Sequence, residues 1–238
     1  MIRFYKTNEQ SVRTGDWGAA SDVFYGSESQ KYLGFGELVQ CTRWELAPGA
    51  SGVGSGLQRN METVDIILAG SAAFQDSTGT TAHYPAGTMQ VVSAGRGIYR
   101  TMFEPAGSPA TVLQIGFLPD TLNTRPVTTK GLFDLSQHRN ALIELVSPGN
   151  PGSLTVRQRA AVLLGTFDTE QHVSYGVSGP DVGIFLCVVD GGVTIGTDTL
   201  RRGDAAGIIR EEQVLFHTMG ETTVALIEVA LPSEEEEE

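Results

Sequence analysis

Apolar and polar residues alternate with a period of two over many short stretches of this chain. In residues 63–68, Val64, Ile66 and Leu68 fall on one face and Asp65 falls on the other. This period is that of a half-buried β-strand, whose successive side chains point to opposite faces. Such stretches recur every 8–12 residues or so and are separated by Gly, Pro and Asn-rich turns. The pattern therefore predicts an all-β fold.

The alternating stretches divide into two groups, which predict two β-sandwich domains. The predicted strands include 38–46, 64–68, 72–74, 99–103 and 111–117 in the first half, and 141–146, 154–159, 162–167, 183–189, 193–195, 200–205, 214–217 and 223–231 in the second. The turn-rich span 119–131 is the predicted linker, which gives domains at 1–125 and 126–232 and a tail at 233–238. Residues 1–33 are interpreted as irregular, with Trp17, Phe24 and Tyr25 as packing anchors.

Composition supports a folded chain and excludes two kinds of partner. Among 238 residues, 40% are hydrophobic, and 29 glycines accompany 10 prolines, as expected for many turns. The net charge of −12 disfavours direct contact with nucleic acid, because phosphate binding depends on basic residues. The run Glu234–Glu238 is predicted to be a solvated tail. No apolar stretch approaches the roughly 20 residues of a membrane span, and no signal-like segment begins the chain, which predicts a cytoplasmic protein.

The chain has two cysteines, Cys41 and Cys187, which share no short motif. Such a pair in a cytosolic protein is predicted to be reduced and buried. A redox role for Cys41 is the alternative, because a thiolate would be favoured if this residue were exposed close to Arg100.

Several separated motifs occur in the order found in one known family. They comprise Ala47-Pro48-Gly49, the stretch Gly54–Gly70, Asp76-Ser77-Thr78-Gly79, Pro85-Ala86-Gly87, Ser93-Ala94-Gly95 and Gly203-Asp204. Together they resemble the pirin family of quercetinase-like bicupins, and in particular a bacterial group that lacks the metal. The resemblance implies two cupin-type β-sandwich barrels of the RmlC-like jelly-roll type, with the functional pocket in the N-terminal barrel.

The resemblance also identifies the positions at which the family binds iron, nickel, copper or zinc. Its His-x-His pair falls on Gly56 and Gln58, and its later His and Glu fall on Arg100 and Met102. Gly56 offers no donor, Met102 offers only a weak thioether, and Arg100 is a permanent cation. We therefore expect no metal cofactor.

The altered positions still allow other chemistry. Arg100 and Met102 are two residues apart on a strand and are expected to face the barrel interior, with Gln58 and Glu62 near the same cavity. One interpretation is a structural ion pair between Arg100 and an acidic residue that fills the former metal cavity. The other is an anion clamp, in which Arg100 and Gln58 bind a small ligand.

The four histidines do not suggest a relocated site in the sequence. His83, His138, His172 and His217 are far apart, and none has a second ligand at a spacing typical of metal sites. They are predicted to lie at the surface or the edge of the core. No Gly-x-Ser-x-Gly elbow supports a catalytic triad.

Three functional hypotheses follow. The first is a non-catalytic pirin-like bicupin that binds an unidentified small molecule or protein partner in regulation. The second is a metal-dependent quercetin 2,3-dioxygenase-like enzyme with a rearranged site, in which Glu62 is one ligand. The third is an interaction protein whose first cavity is filled by its own side chains, and a buried Arg100 ion pair would favour it.

Overall fold

The computed structural model describes residues 1–24, 34–148, 150 and 152–231. Tyr25 and the acidic tail 233–238 lie outside these residues. Twenty-one strands and two short 3₁₀ helices, Thr7–Glu9 and Leu135–His138, make up the regular structure of the described part. The predicted all-β fold is confirmed.

The first twelve strands precede the Leu135–His138 helix. They are β1 (Ile2–Tyr5), β2 (Ser11–Gly15), β3 (Gly18–Asp22), β4 (Leu38–Leu46), β5 (Val53–Gln58), β6 (Glu62–Ala69), β7 (Ser71–Asp76), β8 (Thr81–Pro85), β9 (Thr88–Ser93), β10 (Ile98–Phe103), β11 (Ala110–Phe117) and β12 (Val127–Leu132). They form a seven-stranded sheet in the order β12-β9-β6-β11-β4-β3-β2 and a four-stranded sheet in the order β5-β10-β7-β8, while β1 pairs elsewhere.

The remaining nine strands build the second half. They are β13 (Ala141–Val146), β14 (Ala160–Phe167), β15 (His172–Gly176), β16 (Val182–Asp190), β17 (Gly192–Ile195), β18 (Asp198–Arg201), β19 (Ala205–Ile208), β20 (Gln213–Thr218) and β21 (Thr222–Ala230). A six-stranded sheet has the order β1-β19-β16-β21-β14-β13, and a four-stranded sheet has the order β15-β20-β17-β18. Each half is thus a large sheet and a small sheet.

Three main apolar layers hold these four sheets together. One lies inside the N-terminal sandwich around Trp44 and Phe74, and one lies inside the C-terminal sandwich around Phe167 and Phe216. The third packs the two large sheets against each other and joins the halves. It includes Leu38, Val64, Ile66, Ile115 and Phe117 from the first half and Val162, Leu164, Phe185, Ala225 and Ile227 from the second. The alternation of β6 places Val64 and Ile66 in this central layer.

Gly70 makes the tight bend between β6 and β7. Its φ of +67° lies in the left-handed region, and a Cβ atom there would be 2.2 Å from the carbonyl oxygen of Pro109. Only glycine fits both constraints without strain. The end of the motif Gly54–Gly70 is therefore fixed by backbone geometry.

The interpretation of residues 1–33 as irregular is wrong for most of the described part. Strands β2 and β3 extend the large N-terminal sheet, and β1 pairs with β19 in the C-terminal sheet. The span 119–131 is likewise only partly a linker, because β12 pairs with β9. The large N-terminal sheet therefore extends to Leu132, and β1 belongs to the large C-terminal sheet.

Asp204 links the N-terminal segment to the C-terminal half through hydrogen bonds and an ion pair. One of its oxygens accepts hydrogen bonds of 2.7 Å from both the backbone N–H and the hydroxyl of Thr7, and the other accepts one of 3.0 Å from the backbone N–H of Arg201. The Lys6 ammonium is 3.7 Å away. Burial opposes the charged form, but these donors outweigh it and lower the pKa of Asp204 below its ordinary value.

We expect Asp204→Asn to destabilise the protein by about 1.5–3 kcal/mol at pH 7, the range for hydrogen bonds to a charged group. Since the pKa is lowered by folding, the contribution of Asp204 is present above the unfolded pKa of about 3.9 and is lost as pH falls through the folded value. Thermal midpoints from pH 7 to pH 3 should converge for the wild type and this variant. Asp198→Asn, at an exposed site in the nearby hairpin, is the control, and a constant difference across the pH range would contradict this role.

No helix in the described ranges is both long and apolar enough to cross a membrane.

Candidate functional site

The four positions that the resemblance assigns to metal ligands lie on the paired strands β5 and β10. Gly56 is the cross-strand partner of Arg100, and Met102 pairs with Val53 after a register shift between Arg100 and Met102. Arg100 and Met102 are 5% and 3% exposed, so both side chains lie on the inner face of β10, in line with the period-two alternation. The sequence thus located this wall of the cavity.

The Arg100 guanidinium lies within the N-terminal sandwich and has three partners. Its Nη2 is 2.5 Å from Oδ2 of Asp65, and its Nη1 donates a hydrogen bond of 3.2 Å to Oε1 of Gln58. Its central carbon lies 5.2 Å from the centroid of the Phe74 ring, in a cation–π contact. The guanidinium therefore has a charged, a polar and an aromatic neighbour at once.

Asp65 is the acidic partner of Arg100, and it is fully buried on β6. Besides the guanidinium it accepts hydrogen bonds from the side-chain amides of Gln90 at 2.8 Å and Gln114 at 2.7 Å. The Gln114 carbonyl in turn accepts one from Gln40 at 2.7 Å. Four strands of the large sheet thus contribute to a polar network beneath Arg100.

The network leaves little empty space. The cavity bordered by Gln58, Arg100 and Met102 has a volume of about 10 Å³, about the least that can hold one water molecule. Trp44 and Phe74 also line it. The side chains around Arg100 therefore occupy most of this space, and the gap between them is too small for an organic ligand.

The donor set does not fit iron, nickel, copper or zinc. Imidazole and carboxylate groups bind these ions, whereas the cavity presents a cation, an amide and a thioether. The one carboxylate in it, Asp65, is already bound to Arg100 and two glutamines. In the described ranges, no group of three or more His, Cys, Asp or Glu residues is placed to hold an ion.

Glu62 does not share the cavity with Arg100, which corrects the expectation from the sequence. Its side chain follows the Val64 face of β6 and is 1% exposed. Its Oε2 accepts hydrogen bonds from the backbone N–H groups of Arg157 at 2.6 Å and Gln158 at 3.0 Å. Glu62 is therefore a contact between the two halves and is not available as a metal ligand.

The position of Cys41 does not fit the redox role that was considered for it. It is 1% exposed, lies in the central layer, and lines a small gap there together with Cys187. Its hydrogen bond with Cys187, together with burial, raises the pKa of the Cys41 thiol well above the ordinary value. A buried thiol of high pKa is a poor nucleophile, so the redox interpretation based on Arg100 is wrong.

The structure brings together two histidines that the sequence keeps 45 residues apart. His172 on β15 and His217 on β20 are cross-strand partners, and their ring centroids are 4.4 Å apart. His83 stacks edge-on against Phe103, and His138 ends a 3₁₀ helix. Nothing in the sequence indicated that any two histidines lie close together. His172 and His217 do, because the strand register places them opposite each other.

Asp65 is the site residue that sequence reasoning missed. A signal was present, because a charged residue in the middle of an otherwise apolar strand needs a buried partner. Its alternation with Val64 and Ile66 places it on the inner face of β6, which is the face that looks towards β10.

Two family models match the chain, one in each half. The model described as "Pirin" matches residues 21–116, and the model described as "Quercetinase C-terminal cupin domain" matches residues 145–229. The first match contains all four altered ligand positions. The second contains the strands β14 to β20 and most of β21.

Known proteins resemble the chain over most of its length. The quercetin 2,3-dioxygenase of Escherichia coli K12 is 24% identical over 233 residues, which are 96% of this chain and 99% of that protein. A pirin-like protein of Caulobacter vibrioides is 24% identical over 188 residues, covering 78% of this chain and 80% of that one. Both alignments cover most of this chain and most of the other protein.

Solved structures share the same fold. The bacterial pirin YhhW of Escherichia coli, in complex with nickel(II), superposes with a TM-score of 0.87 at 23% identity and covers 98% of this chain and 100% of its own. The predicted pair of cupin sandwiches is thereby confirmed. With both halves matched by models of this one family, the chain belongs to the pirin family of quercetinase-like bicupins.

Proposed function

We propose that this protein is a non-catalytic member of the pirin family, which acts in regulation by binding a partner and does not need a metal. The observation that carries the proposal is the Arg100 guanidinium, which lies at a ligand position of the family and is ion-paired with the buried Asp65. The guanidinium supplies the positive charge that an ion would otherwise bring to this cavity.

Electrostatics supports this replacement. A buried carboxylate is costly unless a cation and hydrogen-bond donors compensate for it. Asp65 has both, in Arg100 and in the two glutamine amides. An ion entering the cavity would have to approach the positive charge of Arg100, which repels it.

The size of the cavity determines what kind of partner we propose. About 10 Å³ of free space leaves no room for an organic substrate in the N-terminal barrel. We therefore propose that the outer surface of the protein binds the partner. The proposed partner is another protein, with a small molecule as the alternative. We propose a cytoplasmic location, a reducing compartment in which the buried thiols of Cys41 and Cys187 would stay reduced.

Elemental analysis and oxygen uptake test the proposal together. The protein to be tested is the full chain with His172→Ala and His217→Ala. These substitutions remove the histidine pair, so an ion bound there does not contribute to the measured metal content. We expect substoichiometric iron, nickel, copper and zinc, and no oxygen consumption with quercetin after each of these ions is added. One tightly held equivalent of any of them in this variant would overturn the proposal.

The second candidate is a quercetinase-like enzyme. It is favoured by the Escherichia coli relative named quercetin 2,3-dioxygenase, which aligns with 96% of the chain. Metal-dependent oxygen uptake with quercetin in the same assay would establish this candidate. The Escherichia coli relative, assayed in parallel, is the positive control.

A further inference from the structure

His172 and His217 lie side by side on the outer face of the small C-terminal sheet. Their ring centroids are 4.4 Å apart and their planes are inclined by 38°. The residues next to them, Val173 and Phe216, pack into the core of the sandwich, so the histidines point the other way. His172 is exposed and His217 partly exposed. Both rings are therefore within reach of an ion from solvent.

The backbone beneath the pair is fixed by the fully buried Thr218. Its N–H donates to the carbonyl of Gln171 at 3.0 Å, and its hydroxyl accepts from the Gln171 N–H at 2.9 Å. The same hydroxyl donates to the carbonyl of Asp168 at 2.7 Å. The ends of β15 and β20 are thus locked in register, and little ordering remains to be done when a ligand binds.

We propose that His172 and His217 form a binding site for a divalent transition-metal ion on the outer face of the C-terminal half. Imidazole nitrogens bind an ion at about 2.0–2.1 Å, so two rings at adjacent corners of a square-planar or octahedral ion have centres roughly 4.5 Å apart. The observed separation of 4.4 Å fits this arrangement, with water completing the coordination. Imidazole suits Cu²⁺, Ni²⁺ and Zn²⁺, and the general order of affinities makes Cu²⁺ the tightest of them.

This site is independent of the N-terminal cavity. It lies on the second sandwich, in the sheet β15-β20-β17-β18, whereas Arg100 lies in the first. The net charge of −12 raises the local concentration of cations around the protein. The proposal does not depend on whether the N-terminal cavity is catalytic.

Copper titration of the full chain without a polyhistidine tag tests the site. Excess Mg²⁺ is present throughout to occupy carboxylates, since Mg²⁺ prefers oxygen ligands. We expect one equivalent of Cu²⁺ to bind, with an electron paramagnetic resonance spectrum that shows coupling to two equatorial nitrogens. His172→Ala and His217→Ala should each weaken binding at least about tenfold, because the second imidazole no longer binds intramolecularly.

His83→Ala/His138→Ala is the matched control, since it removes the same number of imidazoles from other positions. This control should bind Cu²⁺ like the wild type. The site is refuted if the wild type and His172→Ala/His217→Ala bind equally, or if the spectrum lacks coupling to two nitrogens. An ion held only by the N-terminal cavity would persist in His172→Ala/His217→Ala, so the two proposals fail in distinguishable ways.

Discussion

Replacing Arg100 with alanine should destabilise the protein by about 3–5 kcal/mol, the usual cost of removing one partner of a buried ion pair. Asp65 is fully buried, and in the variant only the amides of Gln90 and Gln114 remain to compensate its charge. The truncation also leaves a void beside Phe74 and Met102, which adds to the cost. The effect should be larger than that of any exposed arginine.

The measurement is urea unfolding followed by tryptophan fluorescence. Both tryptophans of the chain, Trp17 and Trp44, lie in the N-terminal half with ring centroids 5.8 Å apart, so the signal reports on the domain that contains Arg100. Arg125→Ala is the comparison, because this arginine is exposed and lies in the same half, so its loss should change stability far less.

Asp65→Asn/Arg100→Met separates the ion pair from simple packing. It removes both charges while keeping similar volumes, and replacing both partners of a buried pair is often close to neutral. We expect it to be more stable than Arg100→Ala. If the double variant is as unstable as Arg100→Ala, the unpaired charge of Asp65 is not the reason for the loss.

Restoring four donors should give the N-terminal cavity a metal. The variant Gly56→His/Gln58→His/Arg100→His/Met102→Glu replaces glycine, amide, guanidinium and thioether with three imidazoles and a carboxylate. A Cβ at Gly56 meets no atom within 4 Å, and its φ is not in the left-handed region, so the backbone accepts a side chain there. Linked ligands typically raise affinity by about 10²–10⁴-fold, and we expect a gain of this order for Ni²⁺.

Isothermal titration in the His172→Ala/His217→Ala background measures this gain. The matched control restores Gly56→His, Gln58→His and Met102→Glu but keeps Arg100. This control has three donors and the guanidinium, and we expect it to bind Ni²⁺ much more weakly than the full set. Equal affinities would show that the guanidinium does not oppose the ion.

The sequence located the inner wall of the cavity because period-two alternation is local. Assigning Arg100 and Met102 to the inner face requires only the alternation along one strand. The order of the motifs then places β5 opposite β10. Asp65 was harder to assign, since its pairing with Arg100 depends on the distance across the sandwich. Glu62 was predicted on the wrong face of β6. Its side chain points to the opposite face from those of Thr63 and Asp65.

The contacts between the two halves could not be predicted from the sequence. The backbone N–H groups of Arg157 and Gln158, which bind Glu62, carry no side-chain signature. Cys41 and Cys187 meet only because the two large sheets pack face to face. The pairing of His172 with His217 likewise depends on a strand register set 45 residues away, through Thr218.

The strand Ile2–Tyr5 has a consequence for how the chain folds during synthesis. It is synthesised long before its partner β19, Ala205–Ile208, and it cannot pair until that distant strand has been made. Domains made early fold first, and this edge can close only last. Expressing the halves separately would leave β19 as an open sheet edge, which is a known route to aggregation.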